Sequence, residues 1–136
     1  MRQRREGSLR TERGQAVVEF ALVLPLLVLF VFGATEFSRA WLTVNVLTAA
    51  SREGCRLAVV TDPDVDGVIA RVNEVCDAGR VTPTDVAVIG PDPNDPDRRV
   101  TVTVETDFRV LSGSVLGTFS GTIPLRSTAV MRHESF

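Results

Sequence analysis

The stretch that most restricts this 136-residue chain is Phe20 to Thr35, FALVLPLLVLFVFGAT, sixteen residues without a charge. As an α-helix rising about 1.5 Å per residue it covers about 24 Å, short of the ~30 Å hydrocarbon core of a bilayer. Adding Gln15 to Glu19 brings the helix to roughly 31 Å, so the span fits comfortably only with Glu19 at or inside the cytoplasmic boundary. A carboxylate there costs about 2.5–3.5 kcal/mol at the helix centre and less when it snorkels to the interface. Leu, Val and Phe surround the helix on all faces, which argues against a core helix of a soluble protein. A secretory signal peptide shares the Arg-rich front and the apolar middle, and SRA ending at Ala40 is a tolerable cleavage site. Against it stand the length of the run, the crowding of that site by Glu36 and Arg39, and helical patterning that continues through it.

Charge is distributed unevenly. Residues 1 to 13 hold five arginines and two acids, whereas ten arginines and fourteen acids follow from Glu36 onward. By the positive-inside rule the N-terminus stays cytoplasmic and the remainder crosses. The totals, 15 basic and 17 acidic residues, nearly cancel, and no basic stretch beyond the first thirteen residues is dense enough for a nucleic-acid surface. Nucleic acid is therefore discarded as a partner.

Residues 1 to 13 are polar and Arg-rich without periodicity, and are expected to be unstructured or removed. From Gln15 a helix should run to about residue 60. Phe37, Trp41, Val44, Thr48, Ser51, Cys55 and Ala58 keep one mostly apolar or small face after the all-round apolar part ends, and Trp41 suits an interfacial anchor. Small residues at Ala49, Ala50, Ser51 and Gly54 would let other helices approach closely. Pro25 removes one backbone hydrogen bond within the span, so a kink is expected near VLPLL.

TDPDVDG, residues 61 to 67, breaks the helix, and a shorter one follows to about Ala78 with Val65, Val68, Ile69, Val72, Val75 and Cys76 on one stripe. Gly79 is its natural stop. Strands are expected at Val86 to Ile89, at 99 to 110 where Val100, Val102, Val104, Thr106, Phe108 and Val110 alternate with polar residues, and at a final run with Ile123, Leu125, Ala129 and Met131 on one face. Pro124 suits an edge strand. PDPNDPD, 91 to 97, is a loop on composition. The fold class is α+β: a long N-terminal transmembrane helix continuing into a small domain with a short helix and an antiparallel sheet of about three strands.

Few residues suggest chemistry. Cys55 and Cys76 are the only cysteines. Outside the cytoplasm they form a disulfide, worth ~3 kcal/mol on the chain-entropy model, or else remain two buried thiols; the compartment favours the bridge. A zinc site lacks a ligand set, since His133 is the only histidine. DPDVDG matches the first half of a calcium loop, but the twelfth position holds Asn73 where a bidentate Glu belongs and Glu74 comes one place late. Asp62 as N-cap with Pro63 at the first helical position accounts for the same residues without a metal. No nucleophile elbow, Cys/His pairing or phosphate-cradling glycine pattern occurs, so neither an active site, a cofactor nor a small-molecule substrate is expected.

Gly14 followed by QAVVEF resembles the Gly/x-x-x-x-Glu-Phe processing site of type IV-like prepilins. The longer run GQAVVEFALVLPLLVLFVFGATEFSRAWLTVNVLTAASREGCRLAVV, about residues 14 to 60, is similar to the TadE-like family of minor pilins or pseudopilins from tight-adherence (Flp) pilus systems, with a fainter echo in STAVMRHE, 127 to 134. The resemblance implies a leader, 1–14, removed by a prepilin peptidase between Gly14 and Gln15. It also implies a transmembrane helix over 15–35, an extracytoplasmic continuation over 36–60 and a small outer domain over 61–136. Glu19 and Phe20 form the assembly and processing motif, and the Glu19 carboxylate would pair with the new amine of a neighbouring subunit. The mature product would be fourteen residues shorter than the chain and still much longer than a major Flp pilin, which implies a minor subunit. The chain has no tyrosine, and Cys55 stands where the family commonly has a small residue. The partners implied are the membrane, the peptidase, other pilus subunits and the assembly platform. The alternative, from a different class, is a signal-anchored extracytoplasmic module whose residues 61 to 136 bind a ligand.

Overall fold

Helix α1 extends from Glu6 to Val60 and carries Pro25 inside it without ending there. The structure, a computed structural model, describes residues 6–60, 65–91, 97–111 and 121–132, with side chains from Gly14 onward. The expectation that residues 1–13 lack regular structure is corrected from Glu6 on. A helix already nucleated by the apolar run propagates at little cost into Leu, Arg and Glu, which are good helix formers. Asp62 and Asp64 of the calcium-loop motif, loop residues 92–96 and His133 lie outside the described residues.

The chain forms two units, Met1–Phe37 and Ser38–Phe136. In the first, the side chains from Gln15 to Val31 are exposed, as the all-round apolar pattern dictates for a helix that no other described residue covers.

The second unit contains the rest of α1, helix α2 (Val65–Ala78), and strands β1 (Asp85–Ile89), β2 (Arg99–Arg109) and β3 (Thr122–Arg132). The strands form an antiparallel sheet in the order β1-β2-β3. The period-two pattern of β2 sends Val100, Val102, Val104, Thr106 and Phe108 to the buried face. Leu47, Ala50, Cys55 and Ala58 of α1 and Val68, Val72 and Cys76 of α2 complete the core. Each fully buried Val or Leu contributes about 1.5–3 kcal/mol of transfer free energy. Pro124 pairs with Asp107 on the edge strand β3, the position its missing N–H permits. On the same face of β3, Ala129 is buried, Leu125 and Met131 pack against the core, and Ile123 at the strand's start is exposed.

Two glycines set how closely the layers approach. A Cβ on Gly54 would meet Val72 Cγ2 at 2.7 Å and Val102 Cγ1 at 3.3 Å, so α1 rests directly on α2 and β2 there. Ala50, Ser51 and Gly54 are thus buried within this chain's own domain, which corrects their reading as contacts for other helices; Ala49 faces outward. A Cβ on Gly79 would meet Val46 Cγ1 at 2.5 Å. That contact reshapes the end of α2. Val81 N–H donates to Cys76 O and Arg80 N–H to Asp77 O, both at 2.9 Å, the bond pair of a Schellman motif. The left-handed residue of the motif is Arg80, with φ of 57°, and Gly79 precedes it. Glycine is spent on packing, and an arginine takes the strained position.

Polar contacts fix the register of α1 on the sheet. Ser127 of β3 donates to Thr48 Oγ1 at 3.2 Å, Thr48 donates to Val44 O, and the buried Ser51 donates to Thr48 O. Arg71 of α2 donates to Glu53 of α1 at 2.9 Å and to Glu74 at 2.8 Å. The Arg71 guanidinium holds the Glu53 carboxyl below the usual carboxylate range.

Candidate functional site

The residues singled out for processing and assembly stand at the head of the exposed part of α1. Open space surrounds the Gly14 Cα where a side chain would project. One turn on, Gln15 Nε2 donates to Glu19 Oε1 at 3.2 Å. The i, i+4 spacing brings the two side chains onto one helix face, so one carboxylate oxygen has a partner within the helix. Val17, Phe20, Leu22, Leu26 and Phe30 are between 63% and 74% exposed, on several faces of the helix. At the far end of the apolar run Thr35 donates its hydroxyl to Phe32 O at 2.8 Å, which hides a polar group against the backbone.

Cys55 and Cys76 are both buried as free thiols, the second of the two states expected for them. The reason is direction. Cys55 Sγ donates to Ala129 O at 3.1 Å and so points at β3, whereas Cys76 closes the last turn of α2, the helix that packs on β1. Burial pushes both thiols up from the ordinary cysteine value, which keeps them protonated and poorly nucleophilic. Among the described residues no group of three His, Cys, Asp or Glu side chains could hold a metal ion. Glu74, the late residue of the calcium pattern, is engaged with Arg71.

Sequence reading missed a groove of about 470 Å3 in the second unit. Arg39 and Leu42 of α1, Arg80 after α2, and Asp107, Phe108 and Arg109 of β2 and its end line it. The Arg39 guanidinium lies 5.1 Å from the centroid of the Phe108 ring, a cation–π contact. These residues are scattered along the chain, so only the strand and helix pattern of each was visible beforehand.

A helix from Gly14 to Val60 long and apolar enough to cross a membrane, with a small α+β domain following it, gives this chain the features of a single-span membrane-anchored protein. The family model described as TadE-like protein matches residues 14–56, in agreement with the resemblance read from the sequence. The matched stretch includes Gly14, Gln15, Glu19, Phe20, Pro25 and Cys55. TadE-like proteins are associated with tight-adherence pili and are not a known enzyme family. No curated protein and no solved structure matches the chain.

Proposed function

We propose that this chain is a minor pilin or pseudopilin of a tight-adherence (Flp) pilus, acting in pilus biogenesis and surface adhesion. A prepilin peptidase cuts after Gly14 and leaves Gln15 as the new N-terminus. The domain lies outside the cytoplasmic membrane, and the exposed apolar helix then packs with other pilus subunits on the assembly platform. Glu19 pairs with the N-terminal amine of a neighbouring subunit. In an apolar surrounding each charge alone is costly, and pairing offsets part of that cost while fixing the register between helices.

The observation that carries this reading is Gly14 five residues before Glu19, at the head of an exposed apolar helix and inside the matched stretch 14–56. Mass spectrometry of membrane-extracted protein should find the mature chain beginning at Gln15; an intact 1–14 segment on surface-exposed protein would overturn the proposal. The Glu19→Ala chain should still be cleaved and inserted but should assemble poorly. Normal pilus assembly by that variant removes the pairing step, and an uncut anchor that tolerates it points to the ligand-binding module instead.

A further inference from the structure

We propose that the groove between α1, the end of α2 and β2 takes the phosphate-bearing headgroup of an anionic membrane phospholipid. The proposal rests on the membrane-anchored reading of α1 and adds a lipid preference to it.

Charge comes first. Arg39, Arg80 and Arg109 line the groove against one carboxylate, that of Asp107. Among the described residues neither Arg80 nor Arg109 has an ion-pair or hydrogen-bond partner for its side chain, whereas Arg71 and Arg126 elsewhere in the domain are matched with Glu53 and Glu105. Guanidinium groups suit phosphate because their planar N–H forks bind its oxygens two at a time.

Strain is the second observation. The left-handed position after a helix accepts glycine freely, while any other residue there is disfavoured. Arg80 occupies it at φ of 57° and lines the groove from it. With Gly79 packed on Val46, the residue left in this position beside the groove is an arginine.

Position is the third. Arg39 stands four residues beyond Thr35, the end of the uncharged run, so it falls about one helical turn past the apolar span. Leu42 is 62% exposed and lines the same groove, and Trp41 between them is 61% exposed. A basic groove with an apolar wall and a neighbouring indole, one of whose arginines follows the uncharged run by only four residues in sequence, matches a lipid headgroup better than it matches a free ion.

Trp41 is the only tryptophan in the chain and serves as an energy-transfer donor. The full chain is reconstituted in phosphatidylcholine bilayers containing phosphatidylglycerol, with trace dansyl-phosphatidylglycerol or dansyl-phosphatidylcholine as acceptor. The phosphatidylglycerol probe should be enriched near Trp41 several-fold over the choline probe. Enrichment should fall by about five-fold per arginine in Arg80→Gln and Arg109→Gln, until the two probes are alike. Arg80→Gly should lose the same share as Arg80→Gln while melting at an equal or higher temperature, which separates ligand binding from folding. Equal transfer to both probes in the unmodified chain overturns the proposal and leaves an acidic protein surface as the groove's occupant. Enrichment that survives both Gln variants also overturns it. Transfer to neither probe overturns the membrane-anchored reading together with the proposal.

Discussion

Replacing Gly54 by Ala should weaken the domain even though it places a better helix former inside a helix. Glycine in a helix interior costs roughly 0.8–1.0 kcal/mol relative to Ala, so propensity alone would stabilise. The new methyl, however, meets Val72 Cγ2 at 2.7 Å, Val102 Cγ1 at 3.3 Å and Val68 Cγ1 at 3.6 Å. All three valines are β-branched and stiff at χ1, and all three are fully buried, so none can swing into solvent. α1 must back away from α2 and β2, and overpacking of this kind costs about 1–3 kcal/mol. The net expectation is a loss of about 1 kcal/mol, and at most about 2. Amide hydrogen exchange of β2 in the full chain, kept monomeric in detergent, should accelerate about five-fold. Adding Val72→Ala should make room for the methyl, so the double variant should be more stable than the sum of the single losses by at least about 0.5 kcal/mol. Unchanged or slower exchange, or strict additivity, would refute the reasoning. An effect seen only in assembled material would return Gly54 to the role of a contact between copies.

Two further outcomes follow from the domain. In oxidising buffer without reductant, the folded chain should leave Cys55 and Cys76 unlabelled by maleimide at neutral pH, and unfolding in guanidinium should release two reactive thiols per chain; none released would reinstate the bridge. Glu53 titrates below its ordinary value near 4.5 because Arg71 binds its charged form. Its contribution is therefore present above pH 4.5 and is lost as pH falls through the lower, folded value. Acid melts of the unmodified chain should fall more steeply below pH 4.5 than those of Glu53→Gln, and parallel curves would count against the pairing.

Much of this fold was readable because the patterns were local. The strict alternation from Arg99 to Arg109 and the stripe through Val68, Val72 and Cys76 each state a period and a buried face within one element. What escaped depends on contacts between elements. Gly79 is a sound stop signal, yet its closeness to Val46 transfers the left-handed position to Arg80, and Val46 lies over thirty residues away in the chain. Gly54 and Ser51 read as small residues either way; only the placement of α2 and β3 decides that they are covered by this chain. The cysteines were paired on compartment and loop length, neither of which contains the direction of Cys55 toward Ala129. The helical start at Glu6 escaped for the opposite reason, since propagation from a neighbouring run needs no periodicity of its own.

Helix α1 solves two problems along its length. From Leu47 to Ala58 its small residues lie against α2 and the sheet, so that face is not available for contacts between copies. From Val17 to Val31 every large apolar side chain is exposed, an uncovered surface that a lone chain cannot keep in water. Lipid or other helices must cover it, and both surroundings penalise Glu19. A carboxylate costs about 2.5–3.5 kcal/mol at the helix centre and less at the boundary where Glu19 falls, and a hydrogen bond to a charged group returns about 1.5–3. The Gln15 amide therefore makes Glu19 tolerable in a single inserted chain without satisfying its second oxygen. Energetics alone does not demand a partner helix. What argues for one is placement, because a cut after Gly14 would create an ammonium four residues before the carboxylate, in every copy and at the same height. Copies staggered by that interval would bring one chain's amine to the next chain's open oxygen, while the Gln15 side chain keeps the carboxylate oriented until it arrives.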